Sequence, residues 1–197
     1  MNELTTIRNM AAASSNGMIT SRQVRDAGIH PFYLQQLVRN GELTRISRGL
    51  YMRSDAWEDD LFLFQQRYQR GIFSHDTALY LHGFSDRTPA RYTMTFPVSY
   101  HSESVESEPL IIHRTLPKTY QLGLTEIQSP SGNPLRVYDL ERTLCDIVRG
   151  QGSDVQIVNA AMKKYAASKE KDIHKLMQYA GQLRVKSKIL RYMEVLL

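Results

Sequence analysis

The chain has 197 residues, 42% of them hydrophobic, a single cysteine and a net charge of +5. That length supports one large core or two small ones, the composition excludes a disordered chain, and one cysteine excludes an internal disulfide. No apolar run approaches the roughly eighteen residues of a membrane span, MNELTTIRNM lacks a secretory apolar segment, and no Cys/His spacing resembles a zinc site, so a cytoplasmic protein without metal or cofactor is expected.

Leu4 to Ala13 is expected as a first helix, with Leu4, Ile7, Met10 and Ala11 at helical spacing, ended by Ser14-Ser15-Asn16-Gly17. Met18-Ile19 suits a short strand. Thr20 is placed to cap the next helix, with Gln23 completing a capping box, Val24 and Ala27 facing inward and Gly28 breaking it. His30-Pro31 restarts a helix to Asn40, in which Leu34, Leu37 and Val38 share one face. Phe32, Tyr33, Gln35, Gln36 and Arg39 fall on its flanks or opposite face, and Gly41 ends it. Leu43–Ile46 and Leu50–Arg53 read as two strands around Ser47-Arg48-Gly49, the length of a three-residue hairpin. Two short helices, a tight turn and a basic hairpin predict a winged helix-turn-helix.

The polar stretch Asp55–Asp60 suggests a boundary, giving residues 1–55 as one domain and 56–197 as a second. In the latter, Leu61–Tyr68 reads as a short helix and Ser74–His82 as another, with Ser74 as N-cap and Gly83 as its end. Arg91–Phe96 alternates like a strand, a polar loop Ser99–Glu108 follows, and Leu110–Arg114, Leu124–Gln128 and Leu135–Tyr138 are further strands. Asp139 caps a helix whose Leu140, Leu144, Ile147 and Val148 form one apolar stripe. Three C-terminal helices follow, carried by Val155, Val158, Met162 and Tyr165, by Ile173, Leu176, Met177 and Ala180, and by Ile189, Leu190, Met193 and Leu197. The expected class is α+β: a winged helix-turn-helix, then a small, mostly antiparallel sheet with C-terminal helices.

Several of these segments together resemble the AbiEi-type antitoxins of type IV (abortive infection) toxin–antitoxin systems. The resemblance rests on GMITSRQVRDAGIHPFYLQQLVRNGELTRISRGLYMR, FSHDTALYLHGFSD, RYTMTFP and VYDLERTLCDIVRG, and it spans nearly the whole chain. It implies an N-terminal winged helix-turn-helix that represses its own operon at inverted repeats in promoter DNA. It also implies a C-terminal domain that counters a nucleotidyltransferase-like toxin without a stable complex.

The residues support DNA binding on their own terms. Gln35, Gln36 and Arg39 can bond base edges, and Tyr33 can reach a phosphate or a thymine methyl. Ser21 and Arg22 suit phosphate contacts, and Arg45 and Arg48 on the hairpin suit a phosphate or a narrow minor groove. Charge agrees: residues 1–55 hold seven Arg/Lys against four Asp/Glu, 56–150 nine against twelve, and 151–197 nine against four. Two alternatives stand beside this reading. One is a general winged-helix regulator. The other is an enzyme reversing the toxin's modification through His75, Asp76 and His82, against which no phosphate-cradling glycine loop or nuclease-like carboxylate–lysine pattern is present. Cys145 reads as a small buried hydrophobe, and Glu141 and Arg142 as a structural ion pair. Lys163, Lys164, Lys169, Lys171, Lys175, Lys186 and Lys188 form either a solvated face or a surface for RNA or a nucleotide-bearing substrate.

Overall fold

The computed structural model describes residues 2–14, 16–56, 59–101, 110–149 and 153–196. Ser15, most of the polar loop 99–108 and Leu197 therefore lie outside the described residues. The chain divides into two compact units, Met1–Arg67 and Tyr68–Leu197. The division falls after Arg67 rather than at residue 55, because helix α4 (Asp60–Arg67) packs against strand β2 (Leu43–Ser47) of the first unit.

In the first unit, α1 (Glu3–Ala13) starts at Asn2, whose side-chain oxygen accepts the Leu4 N–H at 3.1 Å. It buries Ile7 and Ala11. Strand β1 (Met18–Thr20) leads directly into α2 (Ser21–Asp26), where the expected capping box forms. Gln23 N–H donates to Thr20 Oγ1 at 3.1 Å, and Thr20 N–H donates to Gln23 Oε1 at 2.8 Å. Val24 is buried, whereas Ala27 sits exposed at the C-cap rather than facing inward. Gly28, at φ +74°, takes the left-handed conformation that lets Ile29 turn back into the core. Helix α3 (Phe32–Arg39) buries Leu34 and Leu37. These residues join Ile7, Ala11, Ile19, Val24, Ile29, Leu43 and Tyr51 in one core.

Strand β3 (Leu50–Arg53) lies between β1 and β2 in an antiparallel sheet. The hairpin differs from expectation. Ser47 pairs with Leu50, so Arg48-Gly49 alone form the loop, and the register shifts between Arg45 and Ser47. Leu43 and Ile46 are both buried although three apart, so strict alternation cannot hold and the extra residue is taken up as a bulge.

The second unit carries a five-stranded sheet in the order β6-β5-β4-β8-β7, formed by β4 (Ile72–Phe73), β5 (Tyr92–Pro97), β6 (Leu110–Thr115), β7 (Leu124–Gln128) and β8 (Pro134–Tyr138). The expected mostly antiparallel sheet is corrected to a mixed one. The β4–β5 and β7–β8 pairs are antiparallel, but β4–β8 and β5–β6 are parallel. Parallel neighbours need a long connection, and residues 98–109 and 74–133 supply one for each pair.

Around the sheet run α5 (His75–Leu81), α6 (Pro117–Tyr120), α7 (Leu140–Ile147), α8 (Val155–Ala167), α9 (Ile173–Gln182) and α10 (Lys186–Leu196). Leu79, Leu144, Ile147, Val158, Met162, Leu176 and Ile189 belong to a core shared by α5, α7, α8, α9 and α10. Helix α7 is buried nearly all round, charged residues included, so its apolar stripe is only part of its buried surface. Glu141 and Arg142 do not pair, since adjacent helical residues point apart. Arg142 bonds Asp146, while Glu141 takes Lys175 Nζ and the Tyr165 hydroxyl, each at 3.0 Å. Cys145 is buried, which pushes its thiol up to about 12.

Candidate nucleic-acid interface

Capping, turn and hairpin geometry together bring a set of side chains to one concave surface of the first unit. A cleft of about 1250 Å³ is lined by Ser21, Arg22 and Arg25 from α2, Phe32 and Gln35 from α3, and Arg45 and Arg48 from the hairpin. The Ser21 N–H donates to the Gly49 carbonyl at 2.8 Å, which fixes the loop against the start of α2. His30 Nδ1 accepts the Phe32 N–H at 3.2 Å, supplying the cap that Pro31 cannot.

Helix α3 presents Phe32, Gln35, Gln36 and Arg39 along one face, at i, i+3, i+4 and i+7, opposite the buried Leu34 and Leu37. Of these, Phe32 and Gln35 line the cleft, while Gln36 and Arg39 lie beyond its edge along the same face. Tyr33 is the exception among the expected residues. It packs against the core on the flank of α3, with its ring edge-on to Phe32 at 6.0 Å, rather than on the exposed face.

The ionic pairing of this unit sorts its arginines. Arg8 binds Glu42 through two bonds, of 2.5 and 2.8 Å, and this hydrogen bonding holds the Glu42 carboxyl down at about 2. Arg53 similarly pairs with Asp55 at 2.5 Å. Arg22 makes only an exposed 3.7 Å approach to Asp26. Among the described residues, Arg25, Arg39, Arg45 and Arg48 have no carboxylate partner. The cations left for an external anion are therefore those on the cleft and on the α3 face. The cleft also takes in Arg25, His30 and Phe32, which are not among the DNA contacts expected from the sequence. Arg25 falls one turn after Arg22, a spacing that could have shown it, whereas the 54% exposure of Phe32 needed the fold.

In the second unit the histidines regroup. His82 Nε2 donates to the Tyr138 carbonyl at 2.7 Å and does not join His75. The ring beside His75 is instead that of His113 on β6, and Asp76 accepts the Ser153 hydroxyl. Among the described residues, no group of three or more His, Cys, Asp or Glu could hold a metal ion. Several expected surface lysines are tied down locally: Lys164 to the Gly83 carbonyl, Lys175 to Asp139 and Glu141, and Lys188 to the Val148 carbonyl.

Residues 9–54 match the family described as "Transcriptional regulator, AbiEi antitoxin". This match supports an AbiEi-type antitoxin. The matched segment runs from within α1 to the end of β3 and holds Ser21, Arg22, Tyr33, Gln35, Gln36, Arg39, Arg45 and Arg48. Among solved structures, the crystal structure of RV2827C protein from Mycobacterium tuberculosis is similar, with a TM-score of 0.66 at 14% identity over 95% of this chain and 75% of that one. At that identity the likeness concerns the α+β fold alone. No curated protein matches the chain in sequence. Among the described residues, no helix is long and apolar enough to cross a membrane.

Proposed function

We propose that this chain is the antitoxin of a type IV toxin–antitoxin system and represses its own operon by binding inverted repeats in the promoter. In this reading the first unit is a winged helix-turn-helix, with α2 and α3 as the helical pair and the β2–β3 hairpin as the wing. Helix α3 enters the major groove, where Gln35, Gln36 and Arg39 bond base edges. Ser21, Arg22 and Arg25 hold phosphates, and Arg45 and Arg48 reach the backbone or the minor groove beside it. The second unit counters a nucleotidyltransferase-like toxin without forming a stable complex with it.

The observation that carries the reading is the sorting of arginines. Those without carboxylate partners line the cleft and the α3 face, within the segment that matches the AbiEi family. The test is fluorescence anisotropy with a duplex from the gene's own upstream region and a random duplex of equal length, beside a toxicity-rescue assay. Preference for the upstream duplex, lost in Arg39→Ala/Arg48→Ala while rescue persists, supports both roles. Equal affinity for the two duplexes rejects the repressor, and absence of rescue by the intact chain rejects the antitoxin.

A further inference from the structure

Helix α3 opens with a side chain of a different kind from the rest of its outer face. Phe32 is 54% exposed and, among the described residues, is the one Phe, Tyr or Trp that stands exposed. A single exposed apolar side chain is ordinary on a protein surface. This one stands in the arginine cleft beside Pro31, in line with Gln35 on the same face of the helix.

Its position is held from two sides. Pro31 has helical backbone at φ −60°, and His30 Nδ1 accepts the Phe32 N–H at 3.2 Å, so the chain enters α3 at a set angle. The Tyr33 ring meets that of Phe32 edge-on, with centroids 6.0 Å apart and planes at 71°, and Tyr33 itself packs on the core. Tyr33 thus braces its neighbour instead of facing outward. An aromatic side chain turns about only two torsions, so a braced ring loses little freedom when it meets a ligand.

The chemistry of the ring narrows what it can meet. Phe32 carries no hydrogen-bonding group, so it reads neither a phosphate nor the polar edge of a base. In the major groove the apolar feature on offer is the C5-methyl group of thymine. Aromatic wedges between base steps belong to minor-groove binding, whereas α3 with Gln35 and Arg39 is suited to the major groove. Phe32 precedes Gln35 by three residues, about 4.5 Å of helix, against about 3.4 Å between base pairs, so the two side chains address neighbouring pairs.

We propose that Phe32 is a specificity residue for thymine, its ring covering a C5-methyl group beside the base pair contacted by Gln35. This rests on the repressor reading of α3 and adds to it a contact that hydrogen bonds cannot supply.

The test is fluorescence anisotropy of the full chain with the upstream duplex, the same duplex with every dT replaced by dU, and a random duplex of equal length. Replacement by dU keeps the base pairing and removes only methyl groups. The intact chain binds the thymine duplex about fourfold more tightly for each methyl covered, the scale of burying one methylene. Phe32→Ala binds the thymine and uracil duplexes equally while still preferring both to the random one; the side chain is exposed, so its loss leaves the core intact. Arg48→Ala weakens binding to both and keeps their ratio. As a measurement free of any variant, single dT→dU replacements confine the loss to the same position in each half of the repeat. Equal affinity of the intact chain for the upstream and random duplexes rejects the repressor reading, and this proposal with it. Where that preference stands, the role of Phe32 alone is overturned if thymine and uracil duplexes bind equally, if their difference persists in Phe32→Ala, or if the loss is spread evenly over single replacements.

Discussion

Arg142 Nε donates to Asp146 Oδ2 at 2.9 Å, one turn apart on α7, with side-chain exposures of 1% and 4%. The same guanidinium gives its Nη1 to the carbonyls of Thr119 at 2.6 Å and Leu122 at 3.0 Å, and it lies 4.2 Å from the centre of the Tyr138 ring. One side chain thus ties α7 to the α6–β7 connection and to β8. A charge this deep is tolerated only while its partners remain, because desolvation is not recovered otherwise. Asp146→Ala is therefore expected to cost about 3–5 kcal/mol in urea unfolding. Arg142→Met combined with Asp146→Leu, which removes both charges, costs much less. A loss for Asp146→Ala no larger than for the double variant rejects this account.

Acid sensitivity follows from His75. Burial first, then the charges of His113, Arg142 and Arg149, lower its folded pKa to about 3 from an ordinary 6.5. Above pH 6.5 the ring is neutral in both states and contributes no pH dependence. Between 6.5 and about 3 the unfolded chain takes up a proton that the fold refuses, so stability falls as pH falls. His113 acts in the same direction, opposed by nearby Asp76. His75 has φ +50°, and asparagine tolerates positive φ, so His75→Asn removes the titration without new backbone strain. Its urea midpoint should drop less between neutral and mildly acidic pH than that of the parent chain; equal drops assign the acid loss to other groups.

Two glycines separate conformation from crowding. Gly28 and Gly123 share nearly the same φ, +74° and +73°, but a β-carbon at 28 meets nothing within 4 Å while one at 123 lies 2.6 Å from Arg142 Cβ. Gly28→Ala should cost about 1–2 kcal/mol from conformation alone. Gly123→Ala adds roughly 1–3 kcal/mol of overpacking to that. Equal thermal destabilisation of the two variants would mean that α7 yields without strain.

On the proposed DNA face, Gln35→Ala should lower the preference for the upstream duplex by about 1–3 kcal/mol while leaving random-duplex binding nearly unchanged. An equal loss on both duplexes excludes base reading by this residue.

Arg45→Ala and Arg48→Ala should act on every sequence alike. Each phosphate contact removed makes the log–log salt dependence shallower by about 0.9. An unchanged slope places that arginine away from the backbone.

Local chemistry made much of the first unit readable. Thr20 and Gln23 announce a helix start by spacing alone, Leu34 and Leu37 set the phase of α3, and that phase fixes which face Gln35 and Arg39 share. What escaped depends on distant pairing. Tyr33 sits only a fraction of a turn from the exposed face, and the core packed on that flank decides its side. The bulge at Ile46 follows from burial of two residues three apart, which a period of two cannot express. The His75–His113 pair is invisible in sequence because only the β5–β6 ladder brings residue 113 beside residue 75. Likewise Glu141 and Arg142 read in sequence as partners of each other, because only the helices closing around α7 bring Lys175 to the one while the turn of α7 brings Asp146 to the other.

The bond from the Ser21 N–H to the Gly49 carbonyl joins main chain to main chain. The side chain at 21 can change to any but proline without removing the donor, and the side chain at 48 takes no part in the bond. The arginines on the hairpin and those on α2 are therefore mounted on a fixed caliper, whose opening is set by backbone and whose tips alone are free to vary. A ligand with a different spacing between its charged ridges must bend to fit, and substitutions at the rim can retune which ligand is gripped without altering how wide the grip is.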